Sequence, residues 1–230
     1  MATDLSRPAF YSLASGGWRD YVTLLHPPYT AWHLSFVAIG AALTPAFSLS
    51  RLLPTLAAFF LAVGIGAHAL DELQGRPLKT RIPDAVLVAL GAASLALAVG
   101  IGAVGAAVVD PWIGAFVAAG SFIVVAYSLE LFAGRFHTDF WFALSWGSFP
   151  LLTGFFASAG TVSLAQRHLS TRVRDVRRRT ARVTGTVTRH DGSVEPITAS
   201  DLAKAEEVAL RALTGATVAL AAALVAMRVA

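Results

Sequence analysis

Five apolar stretches follow one another along this chain, at about 29–49, 53–73, 84–109, 112–132 and 137–159. Each is close to the ~20 residues that carry a helix across a bilayer. Lipid cannot satisfy a backbone amide, so segments of this kind must be helices that pair their own N–H and C=O groups. The joints between them fit that reading. Pro27-Pro28 precede the first stretch, and Asp110-Pro111 and Gly134-Arg135 form short turns between later ones. Charged residues make up only 14% of the 230, against about 25% in a soluble domain. The chain therefore reads as an all-α integral membrane protein, with the cytoplasmic (inner) membrane as its expected location. It has no cysteine, which excludes disulfides, thiolate metal sites and a cysteine nucleophile.

Three regions follow. Residues 1–165 hold the five-helix bundle, opening on a mixed amphipathic stretch without a signal-peptide pattern. Residues 166–199 are polar and basic, with Arg167, Arg172, Arg174, Arg177, Arg178, Arg179, Arg182 and Arg189. Residues 170–181 suit a short surface helix, and alternation around His190-Asp191-Gly192 reads as a β-hairpin with an Asp-Gly turn. Residues 200–230 begin at a Ser200-Asp201 cap and form a sixth crossing helix. The basic stretch suits anionic lipid headgroups better than sequence-specific reading of nucleic acid. The membrane and a lipid are the expected partners, and a homo-oligomer stays open.

The chemistry concentrates where the second apolar stretch ends. His68, Asp71 and Glu72 stand at i, i+3 and i+4, which share one helix face. Ionisable groups at that depth are expensive and mark functional sites. Short antiparallel connections bring the same membrane side to His26, His33, Asp84, Glu130, His137 and Asp139. Blander roles exist for several of them. Asp84 fits a helix N-cap, Asp139 complements a helix N-terminus, Glu130 can pair with Arg135, and His26 and His33 suit the interface. His68, Asp71 and Glu72 are the candidate catalytic residues. With Glu130, His137 and Asp139 they are also the candidate metal ligands.

Arg76, Lys79 and Arg81 follow in the next loop. Cations beside carboxylates suit a diphosphate bridged by Mg²⁺, which proteins hold through one or two carboxylates plus substrate phosphates. With Arg135, Trp141 and Trp146 they form the candidate substrate-binding set, the aromatics facing a greasy chain. A positive-inside loop and an interfacial aromatic belt are the alternatives.

Parts of this pattern resemble the UbiA superfamily of membrane prenyltransferases. The carriers are Tyr21-Val22-Thr23-Leu24-Leu25-His26-Pro27-Pro28, the stretch 68–82 with Arg76-Pro77-Leu78, and Trp146-Gly147-Ser148-Phe149-Pro150-Leu151-Leu152-Thr153-Gly154. The resemblance covers roughly residues 18–160. Where the family has an Asn-Asp-x-x-Asp-type motif, this chain has His68-Ala69-Leu70-Asp71-Glu72, and no second aspartate-rich motif follows residue 160. The resemblance implies a UbiA-like bundle and a metal-dependent transferase acting on an isoprenoid or related lipid, with Mg²⁺ as cofactor. Histidine among the donors points instead to Fe, Mn or Zn, and to a His/carboxylate membrane oxidoreductase. A non-catalytic lipid-binding protein is the third reading. Topology adds a conflict. Arg76, Lys79, Arg81 and Arg135 put the acidic side in the cytoplasm, yet six crossings would put the arginine-rich 166–204 region on the other side.

Overall fold

The computed structural model describes residues 9–159, 186–188, 194–196, 215 and 217–229. Its helices are α1 (Trp18–Leu24), α2 (Pro27–Ala42), α3 (Leu49–Phe59), α4 (His68–Glu72), α5 (Asp84–Val108), α6 (Ile113–Ser128), α7 (Asp139–Ala143) and α8 (Phe149–Ala159). A last helix, α9, covers Thr217–Val229. Two π-helical stretches, π1 (Phe60–Ala67) and π2 (Leu144–Ser148), sit inside continuous helical rods. Two short strands, β1 (Thr186–Thr188) and β2 (Val194–Pro196), pair antiparallel with Val187 opposite Glu195. The reversal between the strands lies outside the described residues, as do the arginines from Arg167 to Arg189, the expected 170–181 helix and the Ser200-Asp201 cap.

Three rods are long and apolar enough to cross a membrane: Leu49–Glu72, Asp84–Val108 and Asp139–Ala159. The other expected crossings are shorter, for local reasons. α2 stops at Ala42, where Pro45 follows and the residue ahead of a proline is pushed out of the helical region. α6 stops at Ser128 because Glu130, Phe132, Ala133 and Gly134 all take positive φ. That left-handed winding cannot continue a right-handed helix, although Leu129–Phe132 look helical by hydropathy.

The rods alternate in direction, so their ends define two faces. One, here the polar face, gathers the start of α2, the end of α4, the starts of α5 and α7 and the end of α6. The opposite face holds the α2–α3 turn, the end of α5 and the end of α8, where Arg51 donates to the Ser158 carbonyl (3.0 Å). α2 and α8 approach most closely. A Cβ at Gly40 would overlap the Leu151 carbonyl, and one at Gly154 the Val37 carbonyl. α9 packs Val225 against the Val37, Ala41 and Leu52 cluster. Its Arg228 donates to the Thr44 and Pro45 carbonyls, both at 2.8 Å, which sets its C-terminal end on the opposite face.

α1 packs against the polar face. Leu24 joins Ala69, Ile82 and Leu87 in a buried cluster. Asp20 accepts from the Gly16 amide and the Arg81 amide, both at 2.8 Å, and so ties α1 to the 74–83 loop.

Candidate functional site

The face shared by His68, Asp71 and Glu72 divides among three sets of neighbours. Glu72 is 0% exposed and turns into its own loop. Its Oε2 accepts from the Leu78 amide (2.9 Å), and its Oε1 accepts from the Thr80 amide and the Thr80 hydroxyl (both 2.8 Å). A carboxylate with several charge-assisted donors is a strong loop anchor. His68 turns the other way. Its Nδ1 lies 3.2 Å from the Gly64 carbonyl, and its ring stacks on His26 at 4.1 Å. Asp71, half-buried, is left on the side of α6 and the 129–138 turn, near Ser128, His137 and Glu130. The Ser128 hydroxyl approaches it outside hydrogen-bonding geometry.

The remaining candidates scatter over the polar face. Glu130 lies 3.9 Å from His137 rather than pairing with Arg135. His137 stacks on Tyr127 at 4.4 Å, with its Nδ1 3.2 Å from the Tyr127 carbonyl. Asp139, Arg135, Lys79 and Arg81 are exposed. Thr138 caps α7, its Oγ1 accepting from the Trp141 amide, and Asp139 lies in the first turn of that helix. Arg76, held at φ 58°, donates to the Thr80 and Ile82 carbonyls and pairs with Asp84. Asp84 thus serves as an ion-pair partner rather than through a side-chain cap. Trp141 packs at a tilt against Phe136, ring centroids 4.9 Å apart, on the same face.

Among the described residues, no three His, Asp or Glu side chains stand close enough to share an ion. Both Glu72 oxygens already accept N–H or O–H groups, and Arg76 is held by Asp84 and two carbonyls.

A second region lies deeper. A cavity of about 530 Å³ runs between α3, π1, α5, α6, π2 and α8. That is within the ~300–1,000 Å³ of small-molecule sites. Its walls are largely apolar, with Val63, Leu95, Phe116 and Phe149 among them. Trp146 lines it and is 5% exposed. His33, which reads from sequence as an interfacial residue, lines it too and is 2% exposed. Phe59 and Trp146 flank the His33 ring at 5.3 and 5.7 Å. The cavity continues past Thr55 and Arg51 toward the opposite face. Trp146 also packs on Tyr127 at 5.3 Å, so one aromatic wall joins the cavity to the Asp71 neighbourhood.

Sequence pattern misses the partner of His26. The Tyr11 hydroxyl hydrogen-bonds its Nδ1 at 2.7 Å. Burial lifts the Tyr11 phenol above its ordinary range and pushes His26 down to about 4. Both are therefore neutral near pH 7. His26 takes a left-handed conformation, φ 44° and ψ 59°, which a non-glycine residue adopts only under constraint. The following Pro27-Pro28 supply part of that constraint.

No family model, curated protein or solved structure matches the chain.

Proposed function

We propose that this chain is a UbiA-like membrane protein that binds an isoprenoid or related lipid within its helix bundle. One observation carries the reading, the cavity of about 530 Å³ with largely apolar walls between three membrane-length helical rods and α6. Water has little to bind on such walls, whereas a lipid chain replaces it at a gain proportional to the apolar area covered. We place the 74–83 loop on the cytoplasmic side of the inner membrane, because Arg76, Lys79, Arg81 and Arg135 flank the polar face.

Prenyl transfer is the second reading, and the position of Asp71 favours it. This carboxylate has not been drawn into the loop as Glu72 has, and it stands beside Tyr127, His137 and Glu130. Two measurements separate the readings. Lipid extracted from protein purified out of its own membranes, analysed by mass spectrometry, should contain one enriched species. Ala58→Phe and Ala62→Phe, which place a ring in the cavity, should lose it. Recovery of only bulk phospholipid from wild type and both variants would defeat lipid binding. Release of diphosphate from a prenyl diphosphate with added Mg²⁺, abolished by Asp71→Asn, would establish the transferase reading.

A further inference from the structure

We infer that the cavity selects a long-chain amphiphile with a single uncharged oxygen headgroup, seated head-inward on His33. The inference rests on the lipid-binding reading above and names what the lipid must carry. Both ring nitrogens of His33 are buried and lack a hydrogen-bond partner among the described residues. The backbone of Trp146 approaches the ring outside hydrogen-bonding geometry. A neutral imidazole offers one donor and one acceptor, and buried polar groups without a partner are rare in folded proteins. This one faces a cavity large enough for a ligand. A hydroxyl can accept from one ring nitrogen or donate to the other, and a carbonyl can accept from the N–H.

The surroundings argue against a charged headgroup at His33. Phe59 and Trp146 flank the ring, and among the described residues the cavity lining contains no carboxylate. The one cation among its described lining residues, Arg51, sits toward the far end and already donates to the Ser158 carbonyl. Arg51 and Phe59 are separated by about 12 Å of helix rise, and it is Phe59 whose ring meets His33. That leaves an apolar channel for a chain running from the buried head toward the opposite face.

A second feature converges on the same place. Both π-helical stretches border the cavity, π1 through Ala62 and Val63 and π2 through Ser145 and Trp146. π-Helical turns are rare and occur disproportionately at functional sites. Here both line the cavity that His33 also lines.

The test uses the full chain in nanodiscs and hexadecanol bearing a diazirine, photo-cross-linked in competition with unlabelled hexadecanol, hexadecane or hexadecyl phosphate. Wild type should label saturably. Hexadecanol should compete about tenfold or more better than hexadecane, the scale of one unmade buried hydrogen bond. Ala58→Phe should abolish saturable labelling. His33→Leu should keep labelling and erase the preference, while His33→Gln, which retains a donor and an acceptor, should preserve it. Saturable labelling with equal competition by alcohol and alkane in wild type would overturn the His33 assignment alone and indicate a ring that is merely hydrated. Stronger competition by the phosphate would overturn the uncharged head. Absence of saturable labelling in wild type would overturn the lipid-binding reading as well. A leucine variant that fails to fold leaves the wild-type preference and the glutamine variant to decide.

Discussion

Glu72 and Asp71 are neighbours in sequence with opposite prospects. Glu72 holds two backbone amides and a hydroxyl in a fully buried pocket. Removing it strands those donors, and each unsatisfied buried group costs about 1–3 kcal/mol. Glu72→Ala should therefore destabilise the protein by ~3 kcal/mol or more, seen as a large drop in thermal midpoint in detergent. Glu72→Gln keeps one acceptor oxygen and should fall in between. Asp71→Asn should leave the midpoint nearly unchanged. A shift of the midpoint by added divalent metal that disappears in Glu72→Gln would show instead that Glu72 is a ligand. His26 allows a second prediction. Its imidazole titrates near 4 in the folded protein, against about 6.5 when exposed. Between those values the unfolded chain binds more protons than the folded one, so stability falls as pH drops from about 6.5 to 4. The loss should reach about 3 kcal/mol at most. His26→Asn, which tolerates the left-handed backbone, should flatten that slope in thermal melts across the window. An unchanged slope would move the titration to another group. At this scale spacing gives a shared helix face but not the partners that each side chain meets. Spacing put His68, Asp71 and Glu72 on one helix face. It could not show that Leu78 and Thr80 would fold back onto Glu72, or that Tyr11 would reach His26.

Helices were legible where a long apolar rod had no internal interruption, as in Asp84–Val108. They were less legible where backbone conformation overrode hydropathy. Glu130 and Phe132 look like helix by composition, yet their positive φ, with that of Ala133, ends α6 at Ser128. Neither π1 nor π2 announces itself, because a π turn changes hydrogen-bond register without changing the apolar character of its residues. Sequence does not say which helices a glycine will let approach. Gly40 and Gly154 meet carbonyl groups across the α2–α8 contact, and small residues are what allow membrane helices such close approach. Gly40→Ala and Gly154→Ala should each cost about 1–3 kcal/mol by forcing the two backbones apart. Gly100→Ala is the control, since nothing stands within 4 Å of its added methyl group. Thermal unfolding that ranks all three alike would refute the close α2–α8 packing.

The whole molecule turns on the side where α9 ends. Six crossings taken in sequence start on the polar face with α2 and return the chain's last residues to that face. The observed contacts put them on the other side: Arg228 reaches the Thr44 and Pro45 carbonyls in the α2–α3 turn, and its guanidinium lies 6.0 Å from the Phe47 ring. Val225 packs into the cluster of Val37, Ala41 and Leu52. Hydropathy recognises that the last segment is apolar, but its direction depends on which end finds partners, and those partners lie about 180 residues earlier in the chain. The positive-inside rule cannot decide it either, because the arginine-rich region before α9 argues against the basic loop at 74–83 under a six-crossing order. Labelling resolves the matter on this naturally cysteine-free chain. Gly75→Cys, in the exposed polar-face loop, and Met227→Cys, an exposed position near the end of α9, should react with a membrane-impermeant maleimide from opposite sides of sealed vesicles. Ser50→Cys, at the start of α3, should share the side of Met227→Cys. Reaction of Gly75→Cys and Met227→Cys from one side, with Ser50→Cys from the other, would restore the six-crossing order and remove the Arg228 contacts from the native structure.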